Sequence, residues 1–366
     1  MDKRLPVVFR LLLFTSMAAA FIFGFMDQYV NMNFERLHIF LFNLTSGGFT
    51  ILFITGRRQA PGIKAGLFYA LSILYAILAF MELYIPAAAA AVILAVIVES
   101  FRREKFQIFP AIFFKARYST SEKFHDASLL CLVIALLLSA FVIVNDSWLR
   151  LFYFQKLTLD VFFLGFSFPV SLITMSIIFG ILENNIPVNV IMFEHLAFWS
   201  VCAGVIVFFL FIIAESFSGE VFISTFLFVT VLLIFLVFFR YGREIQQKYF
   251  LVSAIYFLLF TAITGILYIL IKNTGSYELH GRIILRMHAF YSLYGWNLTG
   301  MMVIIRWEDF PIALNTRKAI FFHWGVILIL APAAKFIPVL TLPAIAAYII
   351  FLAVFFFSGN RVRTSM

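Results

Sequence analysis

Apolar residues run along this chain in long blocks, and short polar or charged stretches separate each block from the next. A helix needs about 20 apolar residues to cross a hydrocarbon core of about 30 Å, and blocks of that length recur between residues 6 and 357. Backbone groups inside a bilayer must be paired within their own segment, so each block is predicted to be an α-helix. The pattern predicts twelve spans, at residues 6–26, 38–56, 64–83, 85–101, 127–145, 158–182, 188–213, 220–240, 248–271, 283–305, 318–334 and 337–357.

The stretches between the blocks have the residues of turns, as in GRRQAPG (56–62) and ENNIPVN (183–189). We therefore expect an all-α polytopic membrane protein with one transmembrane domain over residues 1–366. The first block is long enough to span, so we expect a helix there and not a cleaved leader. The longest predicted loop, 102–126, is basic, and its segment FQIFPAIFFKARYS is predicted to form a helix at the membrane interface.

Lysine and arginine orient the predicted bundle. Of the 27 such residues, 19 fall on the side of the N-terminus, 7 on the opposite side, and Arg10 lies inside the first span. Positive charge accumulates on the cytoplasmic side of membrane proteins, so both termini are predicted to be cytoplasmic and the chain to lie in the inner membrane of the cell. The net charge of +9 is thus explained by topology, and we expect contact with membrane lipid and no nucleic-acid binding.

Composition agrees with this class. The chain is 64% hydrophobic and 12% charged, with a mean hydropathy of +1.04, which excludes a water-soluble domain. Cys131 and Cys202 both fall within apolar blocks, so neither a disulfide framework nor a cysteine metal site is predicted. The sequence has no glycine-rich phosphate loop, no Gly-x-Ser-x-Gly motif and no His-Glu-x-x-His motif.

The histidines are the candidate chemistry. His38 and His288 begin the second and tenth spans from the outer side, at matching predicted depth, and His195 and His323 begin the seventh and eleventh spans from the cytoplasmic side. Neutral imidazole is a common axial ligand of heme iron, and two histidines on different helices can hold one porphyrin between them. We therefore predict that His38 and His288 bind heme iron.

The neighbours of this pair suit a flat macrocycle. Thr45 lies seven residues after His38, and Gly295 lies seven residues after His288, so each small residue shares a helix face with its histidine. Outward-facing propionates would meet basic side chains near the outer surface, namely Arg36, Arg282, Arg286 and Lys335. The alternative is that both histidines are interfacial residues that reach headgroups or backbone carbonyls.

His195 and His323 form a possible second site. A second heme there would complete an electron path across the membrane, and zinc held with Glu194 is conceivable, although no zinc spacing signature is present. Both histidines also lie beside loop charges, which favours a surface role.

The stretch RMHAFYSLYGW (286–296) resembles the tenth helix of subunit I of the heme–copper oxidases, through His288, the pair Gly295-Trp296 and Gly300. In that family twelve helices start from the cytoplasm, and the low-spin heme is held by histidines of helices two and ten. The resemblance implies that His38 and His288 are those ligands. It also implies that Lys335, between the last two spans, contacts a heme propionate.

The departures from the family are informative. Arg286 stands where the ligand of the high-spin heme is expected, the sixth span has no histidine, and His195 lies at the wrong end of the seventh. Copper and the dioxygen-reducing centre are therefore expected to be absent. What remains is one six-coordinate heme b, for electron transfer with a quinone or a partner redox protein, or for sensing.

Two other classes stay open. One is a secondary transporter or lipid-handling permease without heme, and the other is a structural or assembly subunit of a membrane complex. The sequence also leaves open whether this protein is an enzyme, as a component of a membrane oxidoreductase. Colour separates these classes, because only a heme protein is red when purified.

Overall fold

The computed structural model describes residues 5–26, 28–56, 62–151, 163–183, 186–274 and 281–359. Within these ranges the chain forms twelve principal helices. They are α1 (Val7–Met26), α2 (Phe34–Thr55), α3 (Ile63–Phe80), α4 (Tyr84–Glu99), α5 (Thr120–Leu149), α6 (Ser167–Gly180), α7 (Val188–Ile213), α8 (Phe217–Tyr241), α9 (Gln246–Asn273), α10 (Arg282–Phe290, Tyr291–Asn297 and Leu298–Ile305 in succession), α11 (Thr316–Ala334) and α12 (Pro338–Phe357).

Nine of the described helices are long and apolar enough to cross a membrane. Of the other three, α4 and α6 are shorter apolar helices, and α10 has the polar middle YSLYGWN. The prediction of an all-α chain with many helices able to cross a membrane is therefore confirmed for the described residues. We call the side where α1 begins the near side and the opposite side the far side.

The fifth helix begins earlier than its hydropathy predicts. It starts at Thr120 and not at 127, because Ser119 and Glu122 form a reciprocal capping box at its first turn. Lys123 and Asp126 are buried, so charged residues that indicated a loop belong to the helix. The predicted loop 102–126 thus ends at the cap.

The segment FQIFPAIFFKARYS does not form the expected interfacial helix. Its only regular structure is one 3₁₀ turn, Ala111–Phe113. Phe113 packs on Phe198 of α7, whereas Phe106 and Phe109 are exposed. Pro110 removes a backbone donor in the middle of the segment, which opposes a continuous helix.

The twelve helices pack as three four-helix units, α1–α4, α5–α8 and α9–α12, and the three units are arranged in a cycle. The last helix of each unit packs against the first helix of the next, as α4 on α5, α8 on α9 and α12 on α1. The second helices, α2, α6 and α10, contact one another at the centre. In α2 and α10 the middle turns are π-helical, over Phe40–Gly47 and Tyr291–Asn297, and such wide turns often mark functional positions.

A buried ion cluster ties three helices together on the near side. Arg10 of α1 donates to Asp309 at 2.7 Å, and Arg306, just after α10, donates to the same carboxylate oxygen at 3.1 Å. Arg306 also donates to the backbone carbonyls of Phe356 and Ser358 at the end of α12. The arginine inside the first predicted span is therefore buried at the end of the bundle and paired with a carboxylate.

Candidate functional site

His38 and His288 pack against different helices. The ring of His38 lies against Gly24 of α1, 3.9 Å from the position a Cβ would take there. The ring of His288 lies against Gly265 of α9, 3.2 Å from the corresponding position, and its Nδ1–H donates to the Thr261 carbonyl at 2.9 Å.

The positions of the side chains around α10 explain why the rings of His38 and His288 contact different helices. Phe290 lies two residues after His288, which is a rotation of about 200° around a helix. Phe290 packs on Phe21 and Phe25 of α1, with ring centroids 6.3 and 5.8 Å apart. The face of α10 that meets α1 is therefore opposite to the face that carries His288.

A porphyrin bound by both histidines needs the two imidazoles to face each other across one space between helices. Here one ring faces α1 and the other faces α9, and Phe290 occupies the α1 side of α10. This arrangement does not fit a heme held between His38 and His288, and heme binding stays a prediction. The hydrogen bond of His288 Nδ1–H to a carbonyl is of the kind that orients metal-bound histidines, but it also satisfies a buried imidazole without metal.

The other residues predicted for the heme site are dispersed. Gly295 faces Phe257 of α9, so the side of α10 that was predicted to contact a macrocycle packs against α9. Arg286 is exposed, whereas the Lys335 Nζ lies 5.2 Å from the ring centre of Phe25. Thr45 is fully buried in the π-helical part of α2.

Arg36, predicted to meet a propionate, contacts the end of α3. It donates to the Ala79 carbonyl at 3.3 Å and lies 3.8 Å from the carboxylate of Glu82. Its guanidinium group thus binds polar groups at the far-side end of α3.

The second predicted pair is not brought together either. His195 contacts α5, where its Nδ1 lies 3.5 Å from the Lys123 ammonium group. His323 is 2% exposed, and its Nε2–H donates to the Tyr294 carbonyl of α10 at 2.8 Å. Its ring stacks on Phe351 of α12 at 4.3 Å. Among the described residues no group of three or more His, Cys, Asp or Glu side chains could hold a metal ion.

Aromatic side chains fill the space between α1, α2, α10 and α12. Tyr294 lies in the middle of these rings. Its ring centroid is 4.8 Å from that of Phe21, 4.9 Å from that of Phe42 and 5.5 Å from that of Tyr348. Tyr348 in turn stacks on Phe21 at 3.9 Å. We define the aromatic compartment as Phe21, Phe25, Phe42, Phe290, Tyr294 and Tyr348.

Two hydroxyl groups in the aromatic compartment lack hydrogen bonds. Tyr294 is 2% exposed and Tyr348 is fully buried, and neither hydroxyl has a partner in the part of the chain that the structure describes. The Tyr294 hydroxyl lies 3.5 Å from the Cβ position of Gly24, which His38 also contacts. A buried hydroxyl without a partner costs about 1–3 kcal/mol, so this compartment holds donors suited to an oxygen-bearing apolar molecule. Sequence reasoning missed both tyrosines, because tyrosine in a span is common and the pairing of its hydroxyl depends on tertiary neighbours.

A polar cluster lies where the three central helices meet. Asn297 of α10 donates to Asn43 Oδ1 of α2 at 3.1 Å and to Ser167 Oγ of α6 at 2.7 Å. Ser171 donates to Asn297 Oδ1 at 3.3 Å and accepts from Trp296 Nε1 at 2.9 Å. The Asn43 Nδ2 has no partner among the described side chains and backbone. Reversing the Asn43 amide would leave its oxygen without a donor and would also set its NH2 group against that of Asn297.

Comparisons with known proteins return nothing for this chain. No family model matches it, no curated protein matches it, and no solved structure matches it. The resemblance to the oxidase subunit therefore stays a prediction.

Proposed function

We propose that this protein is a redox component of the inner membrane that binds a quinone in the aromatic compartment, where the stacked rings of Phe21 and Tyr348 must separate to admit it. The proposal includes twelve spans with both termini in the cytoplasm, as the charge distribution predicts. The observation that carries it is the pair of buried hydroxyls on Tyr294 and Tyr348, which have no partner in the described structure and belong to rings whose centroids lie 5.5 Å apart. A quinone offers a flat apolar ring and carbonyl oxygens, which accept from such donors.

The chemistry supports this ligand class. The six aromatic rings bury apolar surface, which favours a ring of similar polarity. His38, whose ring meets the same Cβ position of Gly24 as the Tyr294 hydroxyl, adds a group that can exchange a proton when a carbonyl is reduced. Lys335, over Phe25, places a positive charge at the far end of the compartment.

Removal of the hydroxyls tests the proposal. Tyr348→Phe deletes a donor without a partner, so the ligand-free protein should be more stable by about 1 kcal/mol, because the desolvation penalty disappears. Quinone affinity should fall by about fivefold to tenfold, since the hydrogen bond to the ligand is lost. Tyr294→Phe should behave in the same way.

Tyr75→Phe is the matched control. The Tyr75 hydroxyl is buried and bonded to Ser139, so its removal should lower stability by about 1 kcal/mol and leave quinone affinity unchanged. Affinity is measured by fluorescence titration of the purified protein with a short-chain ubiquinone or menaquinone analogue, and stability by unfolding in mixed micelles. Equal affinity of the wild type and Tyr348→Phe would refute the proposal.

Absorption spectroscopy of the same preparation tests heme. A red protein whose low-spin spectrum disappears in both His38→Ala and His288→Ala would replace the quinone proposal by the bis-histidine heme. His125→Ala should leave any such spectrum unchanged, because His125 bonds to Thr55 on the near side.

The Asn43 amide favours a second candidate, a permease whose path crosses the central polar cluster. Such clusters also serve as static contacts between helices, and cysteine accessibility separates the two. In a background with Cys131 and Cys202 replaced by serine, a permease predicts that Ser171→Cys reacts with small polar thiol reagents from both sides of the membrane. A static contact predicts no reaction, as for Ser139→Cys.

A further inference from the structure

A groove opens on the membrane-facing surface between the near-side halves of α11 and α12. It has a volume of about 310 Å³ and is lined by Leu314, Asn315, Lys318, Ala319, Phe322, Ile350, Phe351, Val354 and Phe355. From Asn315 to Phe322 it follows α11 for about 10 Å, at 1.5 Å per residue.

The lining is divided by polarity along its length. Phe351 and Phe355 form a buried floor, whereas Phe322, Ile350 and Val354 form exposed apolar walls. The polar residues, Asn315 and Lys318, lie only at the end where α11 begins. An elongated apolar groove with a charged end matches a molecule that has a hydrocarbon chain and an ionised head.

The charged end is positive. Lys318 and its neighbour Arg317 are both exposed on the first turn of α11, and the helix N-terminus adds the positive end of the helix dipole. This turn lies on the near side, where most of the lysine and arginine residues accumulate and where a span begins at headgroup depth. The head of the occupant is therefore expected to be an anion.

We propose that this groove binds an anionic phospholipid of the near leaflet. One acyl chain lies on Phe351 and Phe355, and the phosphate meets Lys318 and Arg317. The lipid fills the space between α11 and α12 on the surface of the third four-helix unit. This site is independent of the quinone proposal, because the groove and the aromatic compartment share no residue, although α12 contributes to both.

Photolabelling tests the site in the whole protein in nanodiscs of phosphatidylcholine. The probe is a phosphatidylglycerol with a photoreactive diazirine in its acyl chain, and labelled peptides are read by mass spectrometry. We expect label on α11 near Phe322 and on α12 near Val354. Unlabelled phosphatidylglycerol should compete about thirtyfold better than phosphatidylcholine with the same chains, because two positive charges near a membrane surface each contribute about 1 kcal/mol.

Four variants separate the head contact from the chain contact. Lys318→Gln should lower labelling about fivefold, and Ala319→Phe, which fills the groove, should abolish it. Lys64→Gln removes an exposed near-side charge at the start of α3, and Ala70→Phe adds the same bulk to an exposed position of that helix; both should label like the wild type. Equal labelling of Lys318→Gln, or equal competition by phosphatidylcholine, would overturn the anionic site, and unchanged labelling of Ala319→Phe would overturn the groove itself.

Discussion

Asp309→Asn should be among the most destabilising single substitutions on the near side. Asp309 is 3% exposed and accepts from Arg10 at 2.7 Å and from Arg306 at 3.1 Å. Loss of the carboxylate charge leaves two buried guanidinium groups beside each other. Removal of one partner from a buried ion pair costs about 3–5 kcal/mol. The backbone carbonyls that accept from both arginines remain, so the expected loss is about 3 kcal/mol, the lower end of that range.

The charges in the cluster predict which substitution lowers the free energy of unfolding more. Two arginines and one aspartate carry a net charge of +1, so Arg10→Met leaves a neutral pair whereas Asp309→Asn leaves two cations. Arg10→Met also gives up the hydrogen bond to the Leu5 carbonyl, at about 1–2 kcal/mol. We therefore expect Asp309→Asn to cost more than Arg10→Met.

Equilibrium unfolding in mixed micelles with increasing SDS, followed by tryptophan fluorescence, gives the free energy of unfolding for each variant. Arg103→Gln is the control, because Arg103 and Glu122 form an exposed ion pair, and such pairs contribute about 0–1 kcal/mol. An Asp309→Asn variant that unfolds within about 1 kcal/mol of the wild type, or a larger loss of stability in Arg10→Met, would contradict the role given to the buried carboxylate.

Two further substitutions are predicted from backbone geometry, with the same unfolding measurement. Glu215 has a φ of 52° at the turn between α7 and α8, so Glu215→Gly should stabilise the protein by about 1 kcal/mol, and Glu215→Ala should not; no gain with glycine would contradict the strained turn. A Cβ on Gly295 would lie 2.3 Å from the Phe257 ring, whereas one on Gly66 would meet nothing within 4 Å. Gly295→Ala should therefore cost about 1–3 kcal/mol and Gly66→Ala should add about 0.5–1 kcal/mol, and similar effects of the two would refute the close approach of α9 and α10.

Hydropathy alone predicted the class of this protein, because the length of an apolar block is a local property that the bilayer thickness selects. It also placed most helices within a few residues. It failed at α5, where Ser119 and Glu122 cap a charged first turn, and at the basic loop, where Pro110 interrupts an apolar stretch. The first error comes from side-chain hydrogen bonds and the second from a missing backbone donor, and a windowed average of hydropathy contains neither.

The direction of each histidine was decided by the tertiary structure. The sequence placed His38 and His288 at a common predicted depth, and the helical period grouped Gly295 with His288 correctly. Depth and period do not specify which neighbouring helix a face meets, because that depends on how the three four-helix units close into a cycle. The packing turned His288 toward α9 and His38 toward α1. The same packing brought Tyr294 and Tyr348 together from chain positions 54 residues apart, because inter-helix contacts depend on the three-dimensional arrangement and leave no periodic signal in the sequence.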